Sequence, residues 1–178
     1  MRSDDARPYA ETGLVALDLA NTWDEYFEDP ERLPDEAALR RFCAELSEDY
    51  APGSLAAVLA LRAQLRETVT GEAAARTRAL ADFASRLPIK PVVGTSSGVP
   101  TLRLVAEAPD LAPRLGVRAV GELMDLAAAG KWERIHHCAA SPCRDVFVDE
   151  SRPGRRQFCS TTCANRVHAS TSRARRSG

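Results

Sequence analysis

Apolar residues recur at helical spacing along most of this 178-residue chain. After Pro34, Asp35 stands where an N-cap belongs, and Leu39, Phe42, Cys43 and Leu46 follow at i, i+3, i+4 and i+7. That spacing predicts one buried helical face. Ser54 is placed to cap a longer helix carrying Leu55, Val58, Leu59, Arg62, Leu65, Arg66 and Val69 along its buried side and borders. Gly71 breaks or frays it, because glycine inside a helix costs ~1 kcal/mol. Leu80, Phe83, Ala84 and Leu87 repeat the pattern until Pro88 and Pro91 stop it. Val92-Val93 and residues 101–105 read as two strands, with 94–99 and Pro100 as their loop. A last apolar helix follows Pro109, through Leu115, Val120, Leu123, Met124, Leu126 and Ala127, to a stop near Gly130. The mostly apolar segment 13–22 carries Asp18 within it and reads as a short strand running into a turn or helix. Residues 1–130 are therefore predicted to be an α+β domain, mainly helical, with a small antiparallel sheet.

Residues 131–178 have a different character. They hold ten Lys and Arg against four Asp and Glu, whereas the whole chain has a net charge of −1. An acidic body joined to a basic end predicts that the end, not the body, meets a polyanion. A length of 178 residues suits one ordinary domain with a small one appended. No stretch approaches the ~20 apolar residues of a membrane span. The N-terminus lacks the apolar core of an export signal, so a cytoplasmic location without a membrane partner is expected.

Four of the five cysteines fall in the basic end, as Cys138-x4-Cys143 and Cys159-x3-Cys163 with fifteen residues between the pairs. Two close pairs joined by a hairpin-length loop supply the corners of a tetrahedral zinc site. About fifty residues are too few to bury a stable core alone, so metal binding is expected to drive this segment to fold. Two disulfides are the alternative, disfavoured in a chain without an export signal. Cys43 stands apart and reads as a buried thiol. A set of four cysteines leaves no open position for water or substrate, which argues against a catalytic zinc. His136, His137 and His168 are alternative ligands of low weight, since the cysteine set is already complete.

Between the pairs, Val146-Phe147-Val148 and residues 155–158 look like strands around an Arg152-Pro153-Gly154 turn. Ser160 then caps a helix reaching Arg176. A knuckle, a hairpin and a helix whose first turn brings two ligands together predict a treble-clef finger, with a zinc ribbon as runner-up.

From Trp132 to Arg152 the chain reads W-x-R-x3-C-x4-C-x3-F-x-D-x-S-R, followed by R-x-F-C-S and C-A-N-R. This stretch resembles the CGNR zinc finger, with Cys163-Ala164-Asn165-Arg166 in place of Cys-Gly-Asn-Arg. Leu17-Asp18-Leu19-Ala20-Asn21-Thr22 is similar to the signature that opens the ABATE domain, a frequent neighbour of that finger in bacterial stress-induced transcription regulators. The resemblance implies an N-terminal sensing domain that takes a small-molecule effector and a C-terminal finger that binds DNA. It leaves the oligomeric state open.

Arg155, Arg156, Arg173, Arg175 and Arg176 are the candidate DNA contacts, since guanidinium groups suit phosphate and guanine. Asn165 and Arg166 share the helical region of ligand Cys163, so a structural role beside the thiolates is expected of them. In the body, Asp18, Asn21, Thr22, Arg62 and Arg66 are the polar residues to seek in a ligand pocket, with caps and internal salt bridges as the other reading. A protein-interaction module is the main alternative to DNA binding. RNA binding is weaker for want of interleaved aromatics, and no nucleotide-loop or hydrolase motif points to an enzyme.

Overall fold

The computed structural model describes residues 7–176, with side chains through Arg173. Helices dominate, and the class is α+β. The body comprises α1 (Val15–Ala20), α2 (Glu36–Glu45), α3 (Leu55–Val69), α4 (Ala73–Ser85), β1 (Ile89–Ser96), β2 (Val99–Ala106) and α5 (Leu111–Ala128). A 3-10 turn at Trp132–Arg134 then leads to β3 (Ile135–His137), β4 (Val146–Val148) and α6 (Thr161–Arg176). Among the described residues, no helix is long and apolar enough to cross a membrane.

The segment expected to begin as a strand is α1. All six of its side chains are buried, so neither a helical nor a strand period can show in its sequence. It lies against α3 and α5, and its Val15, Leu17 and Leu19 join Leu39, Phe42, Val58, Leu65, Phe83, Leu115 and Leu123 in one core. The Asp35 side chain caps α2 by accepting from Ala38 N at 2.8 Å. Ser54 does not cap α3 through its side chain; Glu36 instead accepts from Leu55 N at 3.1 Å. Gly71 follows the end of α3 with φ +87, a left-handed conformation that turns the chain into α4.

Strands β1 and β2 are longer than the apolar pattern suggested. They pair antiparallel from Ile89↔Ala106 to Ser96↔Val99, closed by a two-residue turn at Ser97 and Gly98 with both φ positive. Such turns match the right-handed twist of the flanking strands, so a short loop replaces the seven-residue one expected. Pro91 and Pro100 are tolerated because each strand of a two-stranded sheet is an edge.

In the C-terminal part, β4 pairs with β3 before the first cysteine pair, in register Ile135↔Val148 to His137↔Val146. The expected partner, residues 155–158, is not a strand. Its backbone groups are taken elsewhere: Asp149 Oδ2 accepts from Arg156 N at 2.8 Å, and Gln157 O accepts from Ala139 N at 2.8 Å.

The hydrophobic core does not stop at residue 130. Ile135 and Val146 belong to the same buried cluster as the body helices, with Trp132 and Val148 packed against it. Asn21, at the end of α1, donates to Val146 O at 2.9 Å and accepts from Val146 N at 2.8 Å. Its amide thus completes both hydrogen bonds of a residue on β4, as a neighbouring strand would. Arg76 is buried on α4 and donates to Val69 O, Gly71 O, Trp132 O and Ile135 O. The carbonyl-rich C-terminal end of α3 favours that cation, which ties the helix pair to the start of β3.

Asn21→Ala strands the N–H and C=O of buried Val146 together. It should cost about 1–3 kcal/mol in thermal or urea unfolding, with a larger effect than an alanine change at an exposed polar residue. An unchanged melting temperature would contradict the role given to this amide.

Candidate metal centre

The four predicted cysteines come together from three local structures. Cys138 follows β3, Cys143 precedes β4, and Cys159 and Cys163 flank the start of α6. Ser160 caps that helix by accepting from Cys163 N at 3.2 Å, and the N–H of Cys159 points at Cys138 Sγ at 3.5 Å. Helix N-terminal N–H groups favour thiolates at both positions.

All four sulfur atoms lie within 4.8 Å of one another. Cys143 and Cys159 are 3.8 Å apart and Cys159 and Cys163 are 3.6 Å apart, sulfur to sulfur. Tetrahedral zinc with Zn–S near 2.3 Å requires S···S separations of about 3.8 Å, whereas a disulfide closes to about 2.0 Å. All five cysteines are free thiols. The set therefore fits zinc, and Cys138, Cys143, Cys159 and Cys163 hold it. The closed set gives the metal a structural role. Cys138, Cys143 and Cys163 are buried with Ala140, and Phe158 and Val167 pack against them; Cys159 is half-buried. Without metal, contact with Cys159 and then burial push the Cys143 thiol up, and the same contact draws Cys159 down.

Charged groups surround the sulfurs. Arg166 Nη2 lies 3.3 Å from Cys163 Sγ, and its guanidinium carbon sits 4.0 Å from the centroid of the Tyr26 ring. Asp145 is buried with Oδ2 3.7 Å from Cys159 Sγ, and Arg7 reaches that same oxygen at 2.6 Å. Arg7 also pairs with Asp24 and Glu11. Burial opposes its charge, but Glu11 and Asp145 outweigh that and hold it protonated. Asp149 braces the turn by accepting from Ser151 N and Arg156 N, and the Ser151 side chain first, then these two N–H groups, hold its carboxyl down at about 2. Arg134 reinforces the turn through the carbonyls of Asp149 and Ser151.

The predicted DNA contacts separate into groups. Arg155 and Arg173 are exposed. Arg156 is spent internally: it donates to Phe158 O at 2.8 Å and to Cys159 O, and stacks 5.2 Å from the Phe147 centroid. The side chains of Arg175 and Arg176 lie outside the described residues. Asn165 is exposed on α6. The histidines are not in the cysteine cluster: His136 tilts on Phe147, His137 Nδ1 lies 3.2 Å from Arg144 O, and His168 stands edge-on to Phe158.

The five candidate pocket residues have internal partners. Asp18 accepts from Thr12 N, Thr12 Oγ1 and Gly13 N. Asn21 holds Val146, and Thr22 donates to Leu19 O. Arg62 meets Glu31 with two bonds of 2.6 Å, and Arg66 donates to Ala20 O and Trp23 O. A cleft of about 310 Å³ does open between body and finger, where Asn21 meets Leu126, Val146, Phe147 and Arg156.

Arg7, Tyr26 and Arg76 carry much of this arrangement and were missed from the sequence. Each acts across a long separation, and none stands in a pattern that distinguishes it from an ordinary surface residue. Asp145 and Asp149 carried one signal, two acids beside a run of arginines.

Metal analysis of the purified chain should find one zinc, and Cys163→Ser should lower zinc affinity by orders of magnitude. Metal-free protein prepared without chelator would contradict the centre. For Asp18, burial outweighs its three hydrogen bonds and raises the carboxyl to about 6 from 3.8. The folded state then binds the extra proton, so Asp18 contributes most below pH ~4. That contribution, about 3 kcal/mol, is lost as pH rises to ~6. A carboxyl carbon NMR titration should place its midpoint near 6, and a midpoint below 4 would contradict this.

No curated protein matches the chain. The CGNR zinc finger model matches residues 134–176. The ABATE model, described as "Putative stress-induced transcription regulator", matches residues 13–132, about two thirds of the chain. With this match and the four-cysteine centre, the chain belongs to the ABATE family and carries a CGNR zinc finger.

Proposed function

We propose that this protein is a transcription regulator that holds duplex DNA against its zinc finger, with the body as the regulatory part. One observation carries the reading. From Ser151 to the last residue the chain has seven arginines and no aspartate or glutamate, and most of this segment is α6 and its approach. The outward residues of α6, Thr161, Asn165, His168 and Ser172, are exposed and offer hydrogen-bonding groups with no carboxylate among them. A polyanion meets no repulsion on that face, and Arg155 and Arg173 at its flanks supply phosphate contacts. Zinc fixes the first turn of the helix, so the metal supports the surface and takes no part in chemistry.

A second reading has its own support. Arg156 and Arg166 are engaged within the protein, and β3 and β4 share the body's core. A finger fused in this way serves equally as a brace that presents a surface to a protein partner, without DNA.

Fluorescence anisotropy with duplex DNA separates the two. Under the DNA reading, log K falls linearly with log salt, by about 0.9 per phosphate contact. Neutralising Arg173, Arg175 and Arg176 together then weakens binding to all sequences alike and flattens the slope by up to about 3. Absence of salt-dependent binding would leave the brace reading in place.

A further inference from the structure

We propose that the body loop 23–31 is an outer wall of the zinc centre, with Tyr26 as its contact and Arg7 as its tie, and that it controls how fast the metal is lost. Three successive loop residues each reach a finger group close in sequence to a ligand. Asp24 pairs with Arg7, which bridges to Asp145, two residues after Cys143. Glu25 pairs at 3.2 Å with Arg144, the residue after Cys143. Tyr26 presents its ring 4.0 Å from Arg166, three residues after Cys163. The loop is itself anchored. Asp24 Oδ1 accepts from Tyr26 N at 3.0 Å, Asp24 N donates to Pro30 O at 2.9 Å, and Arg66 on α3 donates to Trp23 O at 3.1 Å.

The wall acts on the metal through charge. Four thiolates around zinc carry a net charge of about −2, and a guanidinium hydrogen-bonded to a sulfur offsets part of it. Arg166 has that position at Cys163, and its Nε is buried with no hydrogen-bond partner. The Tyr26 side chain packs on the guanidinium plane and adds to the Cys163 bond in holding it. On the other side, Asp145 brings a like charge to Cys159, the half-buried thiolate, and Arg7 neutralises it from the body. With the wall displaced, Arg166 is free to swing from Cys163, and Arg7 loses its Asp24 partner and is held less firmly at Asp145. Both changes weaken the charge balance around the sulfur cluster and favour release of zinc. By linkage, a change in the body that moves this loop alters zinc retention, and zinc loss loosens the loop. The inference concerns metal retention and does not depend on DNA binding.

The test uses the full zinc-loaded chain, with release followed into excess of a colorimetric zinc chelator. Tyr26→Ala should release zinc roughly 10-fold faster, and Tyr26→Phe, which keeps the ring, should stay close to the unmodified protein. Tyr26 is 47% exposed, so its truncation opens no core cavity. Arg118→Ala is the control, because it breaks ion pairs with Glu48 and Glu122 within the body and should leave release unchanged. Equal release from Tyr26→Ala and the unmodified protein would overturn the proposal, as would acceleration by Arg118→Ala to the same extent. If Tyr26→Ala does not fold, hydrogen exchange on the unmodified chain decides. Stripping zinc should speed exchange at the amides of 24–27, and unchanged exchange there would overturn the wall.

Discussion

A negatively charged metal centre placed against an acidic body has to be neutralised, and much of this structure follows from how that is done. Zinc with four thiolates carries about −2. Asp145 and Asp24 add carboxylates beside it, both buried. Arg166 answers at Cys163, and Arg7 answers at Asp145 and Asp24 together. A buried charge without a partner would cost several kcal/mol, so these guanidinium groups are conditions of the fold rather than additions to it. They also explain why basic residues near the metal are not all available to a polyanion.

The same constraint joins finger and body. A segment of about fifty residues has little core of its own, and here it has two sources of stability. On one side the metal gathers Cys138, Cys143, Cys159 and Cys163 with Phe158 and Val167. On the other, Ile135 and Val146 enter the core of the helical body, with Asn21 and Arg76 satisfying the backbone of the joining strand. The finger is thus held between metal and body. The helix α6 leaves that junction with Thr161, Asn165, His168, Ser172 and Arg173 exposed and no carboxylate among its residues.

Local features were legible in the sequence because their causes are local. The cysteine spacing, the Asp35 cap, the apolar faces of α2 to α5 and the Ser160 cap each lie within a few residues of the structure they specify. The α1 segment was misread because a helix buried on every side has no amphipathic period. The pairing of β4 with β3 was hidden because residues 155–158 look strand-like, but the Asp149 carboxylate takes the N–H of Arg156. In the body, Asp18, Thr22, Arg62 and Arg66 were chosen as polar residues in apolar surroundings, and their partners lie within the body itself. The braces of the junction were out of reach for a different reason. Asn21 to Val146 and Arg7 to Asp145 span more than a hundred residues, and nothing local marks either partner.

The central claim is that metal centre, finger and body form one cooperative unit. Differential scanning calorimetry of the full chain tests it most directly, with zinc bound and after chelation. This account predicts a single transition for the zinc-loaded protein, moving to lower temperature as a whole and broadening when the metal is removed, because the body loses the strand and the charges that complete it. Two separate transitions, with that of the body unmoved by chelation, would contradict it.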